Sequence, residues 1–169
     1  MDREHSWGTK KSWRILVLAG LAGGMAEILW IAAYSFAVGI SGWQVARAIS
    51  ATFSLAWAEQ AAAPMIGIAI HFLLSFLVAG LFIRILWVPY LQQRSAATTV
   101  VASLLSLAAI WTINFLWVLP ALHPAFVGLL PPTITFVSKL LFGLALSTVL
   151  IRHTVSTPVL STTFTKRCV

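Results

Sequence analysis

The 169 residues are 60% hydrophobic and only 9% charged, whereas an ordinary soluble domain is about 25% charged, so the chain is not a soluble globular protein. Its composition predicts instead an all-α integral membrane protein with one membrane domain over 1–169. The net charge of +7 does not predict a nucleic-acid partner: nine of the eleven Lys and Arg (Arg3, Lys10, Lys11, Arg14, Arg84, Arg94, Arg152, Lys166, Arg167) lie in the two terminal segments and one short loop, the positive-inside signature that assigns both termini and the 84–94 loop to the cytoplasm.

The first span is expected from about 14 to 40. Its basic start and the apolar run 15–26 have the outline of a signal peptide, but the run continues through Ile28-Leu29-Trp30-Ile31-Ala32-Ala33 and is too long for a signal h-region. Residues 43–60 are too polar to cross. Val45, Ala46, Ile49, Phe53, Ala56 and Trp57 recur at helical spacing opposite Gln44, Arg47, Ser50 and Ser54, which predicts an interfacial amphipathic helix on the outer side. Pro64 suits the first turn of a second span, expected over 64–88 and ended by Pro89. The polar Gln92-Gln93-Arg94-Ser95 makes the cytoplasmic loop. A third span follows over 96–119.

The outer segment 120–132 holds four prolines and no formal charge. Its Leu122, Phe126, Leu129 and Leu130 are candidate docking side chains, since so apolar a loop is out of place in free water. The fourth span is expected over 132–152, and the Ser/Thr-rich tail 153–169 is expected to be flexible. Trp7, Trp13, Trp87 and Tyr90 near the inner boundary and Trp43 and Trp57 near the outer one read as interfacial anchors.

Three spans carry one titratable residue thirteen positions from a basic end: Arg14 to Glu27, His71 to Arg84, and Lys139 to Arg152. At 1.5 Å per residue all three sit about 20 Å above one boundary, past the midplane of a roughly 30 Å hydrocarbon core. Asn114 lies higher on the third span. A charge at that depth costs about 3 kcal/mol on insertion scales, so it turns inward and pairs. Gly20 and Gly24 lead to Glu27 along one face, while Lys139, Gly143 and Ser147 recur every four residues. Small residues allow close helix approach, so spans one and four are expected to pack through these faces with Glu27 opposite Lys139. Two meanings stay open for the Glu27, His71, Asn114 and Lys139 level, a register-fixing latch or a polar transport site.

Motifs for a phosphate loop, a nucleophile elbow, a zinc protease helix or a Cys/His cluster are absent, so neither catalytic residues, a metal nor a cofactor is expected. The single Cys168 excludes an internal disulfide. Gly23-Gly24-Met25-Ala26-Glu27 with Trp30, Val45-Ala46-Arg47, Ile70-His71, Asn114-Phe115, Leu119-Pro120, Pro124-Ala125-Phe126 and 138–145 carry a resemblance over about 19–151. With these the chain resembles a group of small four-span bacterial inner-membrane proteins. Members often carry the label sodium:proline symporter. Symporters of that class build their sites from broken helices in repeated halves, which four short spans do not supply.

The expected function is therefore a non-catalytic accessory or assembly subunit of a larger bacterial membrane complex. The alternative is a small oligomeric carrier or channel for a proton, cation or small solute. Expected partners are the lipid bilayer and either partner subunits or further copies of the chain. The expected location is the bacterial inner membrane, multi-pass, with both termini cytoplasmic.

Overall fold

The computed structural model describes residues 9–155, and these are almost entirely helical. Four stretches are long and apolar enough to cross a membrane: Trp13–Val38, Ala63–Leu91, Ala96–Leu122 and Pro132–His153. The first belongs to α1 (Thr9–Val38), which ends where Gly39 takes a φ of +74°. The amide of Ile40 then donates to the Ser35 carbonyl at 2.9 Å, a Schellman closure for which glycine alone carries no Cβ penalty.

The expected helix over 43–60 forms as two pieces, α2 (Gly42–Phe53) and α3 (Leu55–Ala58), because Ser54 between them is extended. α2 buries Val45, Ala46 and Ser50 against α4 (Ala63–Phe82). The approach is close enough that a Cβ on Gly67 would overlap the Ala46 carbonyl. Ser50 Oγ donates to the Ala63 carbonyl at 2.6 Å across the same contact.

Pro89 does not end the second span. The helix runs on from α4 as a π-helical stretch, Ile83–Leu91, with Pro89 inside it. Proline lacks the N–H and crowds the carbonyl four residues back, and the wider i→i+5 winding relieves that conflict; the Gln92 amide reaches the Trp87 carbonyl at 2.8 Å in this register. The third span likewise outlasts its expected end near 119. α5 (Ala96–Ile113) continues through π-wound Asn114–Val118 into α6 (Leu119–Leu122). Its start is capped by Ser95, whose side chain accepts from the Thr98 amide at 3.2 Å.

The outer proline-rich segment, expected as a loop, folds as α6 and α7 (Pro124–Leu129): Pro124 and Pro132 open helices and Pro131 lies beyond the end of α7, where the missing N–H is harmless, while Pro120 follows the π-wound stretch. α8 (Pro132–Val155) completes the fold. The tail reading for 156–169 and the anchor reading for Trp7 fall outside the described residues.

α1 packs on both α4 and α8, α8 packs on α5, and α5 meets the Ile83–Leu91 stretch. Ile15, Ala19, Ala79, Phe82, Trp87, Leu107, Phe142, Leu146 and Leu150 form the buried apolar core. Most of that core lies between the Glu27 level and the helix ends carrying Arg14, Arg84 and Arg152; Trp87, read from the sequence as an inner-boundary anchor, lies beyond Arg84 and is buried. The core's position defines what surrounds the polar residues.

Candidate functional site

Glu27 is the centre of the polar constellation. It reaches the interior on a face of α1 that also carries Gly20, Gly23 and Gly24, and its side chain is only 4% exposed. Lys139 Nζ of α8 lies 2.6 Å from Glu27 Oε1, and His71 Nε2 of α4 lies 3.8 Å from Oε2. One carboxylate thus stands between two basic groups from the two helices that flank α1. His71 Nε2 is also 3.2 Å from the Gly24 carbonyl. A carbonyl can only accept, so this bond requires the proton on Nε2.

The glycines explain the spacing. A Cβ on Gly24 would stand 2.8 Å from Ser75 Oγ, and one on Gly20 would strike the Phe76 ring, both on α4. Gly23 instead receives Phe142 of α8, whose Cζ would be 2.7 Å from an added Cβ. The stripe on α1 therefore serves two neighbours at once. Gly20 and Gly24 admit α4, while Gly23 and Glu27 meet α8. This corrects the expectation that the small-residue faces of spans one and four oppose each other. Gly143 faces α5, and Ser103 Oγ donates to its carbonyl at 3.0 Å. Ser147 is fully buried and bonds within its own helix, to the Leu144 carbonyl at 3.0 Å. The reason is geometric: a face with small residues three and four apart spans enough of the helix circumference to touch more than one partner.

Asn114 does not join the bonds around Glu27. It is half-buried where α5 passes into π winding, and its backbone carbonyl accepts the Leu119 amide. The neighbouring layer belongs to aromatic residues. Trp111 stacks on Phe115 at 5.4 Å and meets Phe136 edge-on at 5.0 Å, and its indole N–H donates to Thr135 Oγ1 at 3.1 Å. Trp30, one turn beyond Glu27, donates to the Ile134 carbonyl at 3.0 Å. These two tryptophans tie α1 and α5 to the first turn of α8, above the ion pair. Both fall outside the anchor belts read from the sequence; a midspan indole requires an acceptor, and that requirement is the signal that marks them.

The candidate docking side chains divide. Leu122 is 64% exposed, whereas Leu130 is buried. Phe126 is half-buried, its ring 6.4 Å from those of Phe115 and His123, and Leu129 is half-buried. His123 Nδ1 lies 3.3 Å from Thr52 Oγ1, joining the turn before α7 to α2. Among the described residues no three His, Cys, Asp or Glu side chains converge as a metal site requires.

No protein-family model, curated protein or solved structure matches the chain.

Proposed function

We propose that the chain is a non-catalytic accessory or assembly subunit of a larger bacterial membrane complex, in which Glu27, Lys139 and His71 act as an internal latch. In this reading the four spans form an antiparallel bundle in the inner membrane, with both termini cytoplasmic and α2 lying in the outer interface. One observation carries it: between the Glu27 level and the basic helix ends the bundle is filled by Ala19, Ala79, Phe82, Phe142, Leu146 and Leu150, each at or below 4% exposure. A solute or proton path needs polar lining or room for water. The buried hydroxyls of that half, Ser75, Ser103 and Ser147, each donate to a backbone carbonyl and stand among these apolar groups. The buried carboxylate has its countercharge at 2.6 Å, which is the requirement of a charge held in the hydrocarbon core. Leu122, exposed at the end of the third span, supplies an apolar outer side chain for a partner helix or loop.

Mild-detergent extraction from native membranes, followed by mass spectrometry, tests the proposal. The expected result is one or more membrane proteins recovered in fixed ratio with the chain and lost on Leu122→Asp, the four-span fold persisting. A second reading, a proton or cation carrier, draws on one observation, the sharing of one carboxylate between Lys139 and His71, whose side chains are 25% and 18% exposed. For a carrier the order of effects reverses. His71→Ala abolishes a flux in proteoliposomes, and Leu122→Asp leaves it intact.

A further inference from the structure

We propose that a groove between α1 and α8 at the basic end of the bundle binds one anionic phospholipid, its acyl chain along the helices and its phosphate on Arg152. The groove has a volume of about 430 Å³ and apolar walls from Leu18, Leu21, Ala22 and Met25 of α1 and Val149 of α8. Arg152 and His153 line its end. Leu18, Leu21 and Met25 are exposed side chains of a membrane-spanning helix, so the groove opens towards lipid.

Its dimensions suit a chain. Met25 lies two residues from Glu27, which pairs with Lys139 thirteen residues before Arg152. The difference of eleven residues gives a run of about 16 Å at 1.5 Å per residue. The apolar walls offer water no hydrogen-bond partners, and an apolar protein helix laid along them would leave the Arg152 end facing hydrocarbon. A lipid meets both ends at once, with methylenes against leucine and an anionic oxygen at the guanidinium. Arg152 already engages a neighbour within the protein, but a guanidinium presents five donors and takes phosphate oxygens two at a time. Basic residues at this depth also lie where headgroup phosphates are found.

Native mass spectrometry of the full-length protein with equal added phosphatidylglycerol and phosphatidylcholine tests the site. The wild type is expected to retain one phosphatidylglycerol in preference to phosphatidylcholine by roughly fivefold, the ratio equivalent to about 1 kcal/mol for one basic residue at an anionic surface. Arg152→Gln brings that ratio close to one, and Arg152→Lys keeps most of it. Ala22→Trp fills the groove without changing charge and lowers retention of both lipids. Inorganic phosphate at the same concentration leaves the bound lipid in place, because the chain contributes to binding. Equal retention of the two lipids by the wild type, a preference unchanged in Arg152→Gln, retention unaffected by Ala22→Trp, or displacement by inorganic phosphate would each overturn the proposal.

Discussion

Glu27 is held from both sides, but the two contacts are unequal. Lys139 is within direct ion-pair distance, while His71 sits farther off, at 3.8 Å, and gives its N–H to the Gly24 carbonyl. Removing one member of a buried pair costs about 3 to 5 kcal/mol because the other charge is left uncompensated. Glu27→Gln and Lys139→Met are each expected to lose stability of that order in detergent unfolding, and the double variant less than the sum. Strictly additive losses would count against the pair. His71→Phe removes a single membrane-type hydrogen bond, so its expected cost is smaller, about 0.6 kcal/mol. The depth match of these residues was legible in the thirteen-residue spacing to Arg14, Arg84 and Arg152, since a helix converts residue count directly into height. Azimuth was not. Gly20, Gly23, Gly24 and Glu27 cover an arc wide enough for two neighbours, and nothing in the spacing says which glycine meets which helix.

At the scale of elements, the tightest contact is between α2 and α4. Gly67 lies under the Ala46 carbonyl without room for a Cβ, so Gly67→Val is expected to force the helices apart. The cost should be in the range of about 1 to 3 kcal/mol typical of overpacking, and hydrogen exchange should accelerate across Val45, Ala46 and Ser50. Ser103→Ala, which removes one bond to the Gly143 carbonyl at 3.0 Å, is expected to cost only about 0.6 kcal/mol by the same melting measurement. The amphipathic pattern of α2 was visible from residue 43 onward, yet its interruption at Ser54 was not, because an extended serine leaves no mark in a hydrophobic period. Pro89 misled in the opposite direction. Proline signals a helix end when only α winding is considered, and the π-wound Ile83–Leu91 stretch accommodates it. The segment 120–132 was read as an apolar loop, although Pro120 and Pro124 sit within the first two positions of α6 and α7.

For the molecule as a whole, the distribution of basic residues makes an orientation test direct. In a Cys168→Ser background, Ala121→Cys is expected to react with an impermeant thiol reagent from outside the cell and Gln92→Cys only after the membrane is opened. The reverse pattern would invert the topology. The number and order of spans followed from hydropathy alone, since solvation by lipid demands long apolar helices whatever their neighbours. Their arrangement, with α1 between α4 and α8, depends on side-chain fit such as Phe142 in the notch at Gly23. Function lies further still from composition, because a charge pair serves a latch and a carrier equally well until its surroundings are known.

The Glu27–Lys139 contact joins the first span to the last, and this sets a clock during synthesis. Lys139 leaves the ribosome 112 residues after Glu27, an interval of roughly 6 to 20 s at about 5 to 20 residues per second. Through that interval α1 would carry an acid into the bilayer without its permanent counterion. His71 follows Glu27 by only 44 residues, so α4 delivers the first polar neighbour long before α8 exists. The imidazole is then expected to act as a placeholder in time until the lysine arrives. Translation stalled between α4 and α8 is therefore expected to leave a nascent chain whose survival against membrane proteases, followed by pulse labelling, depends on His71 far more than that of the completed protein does.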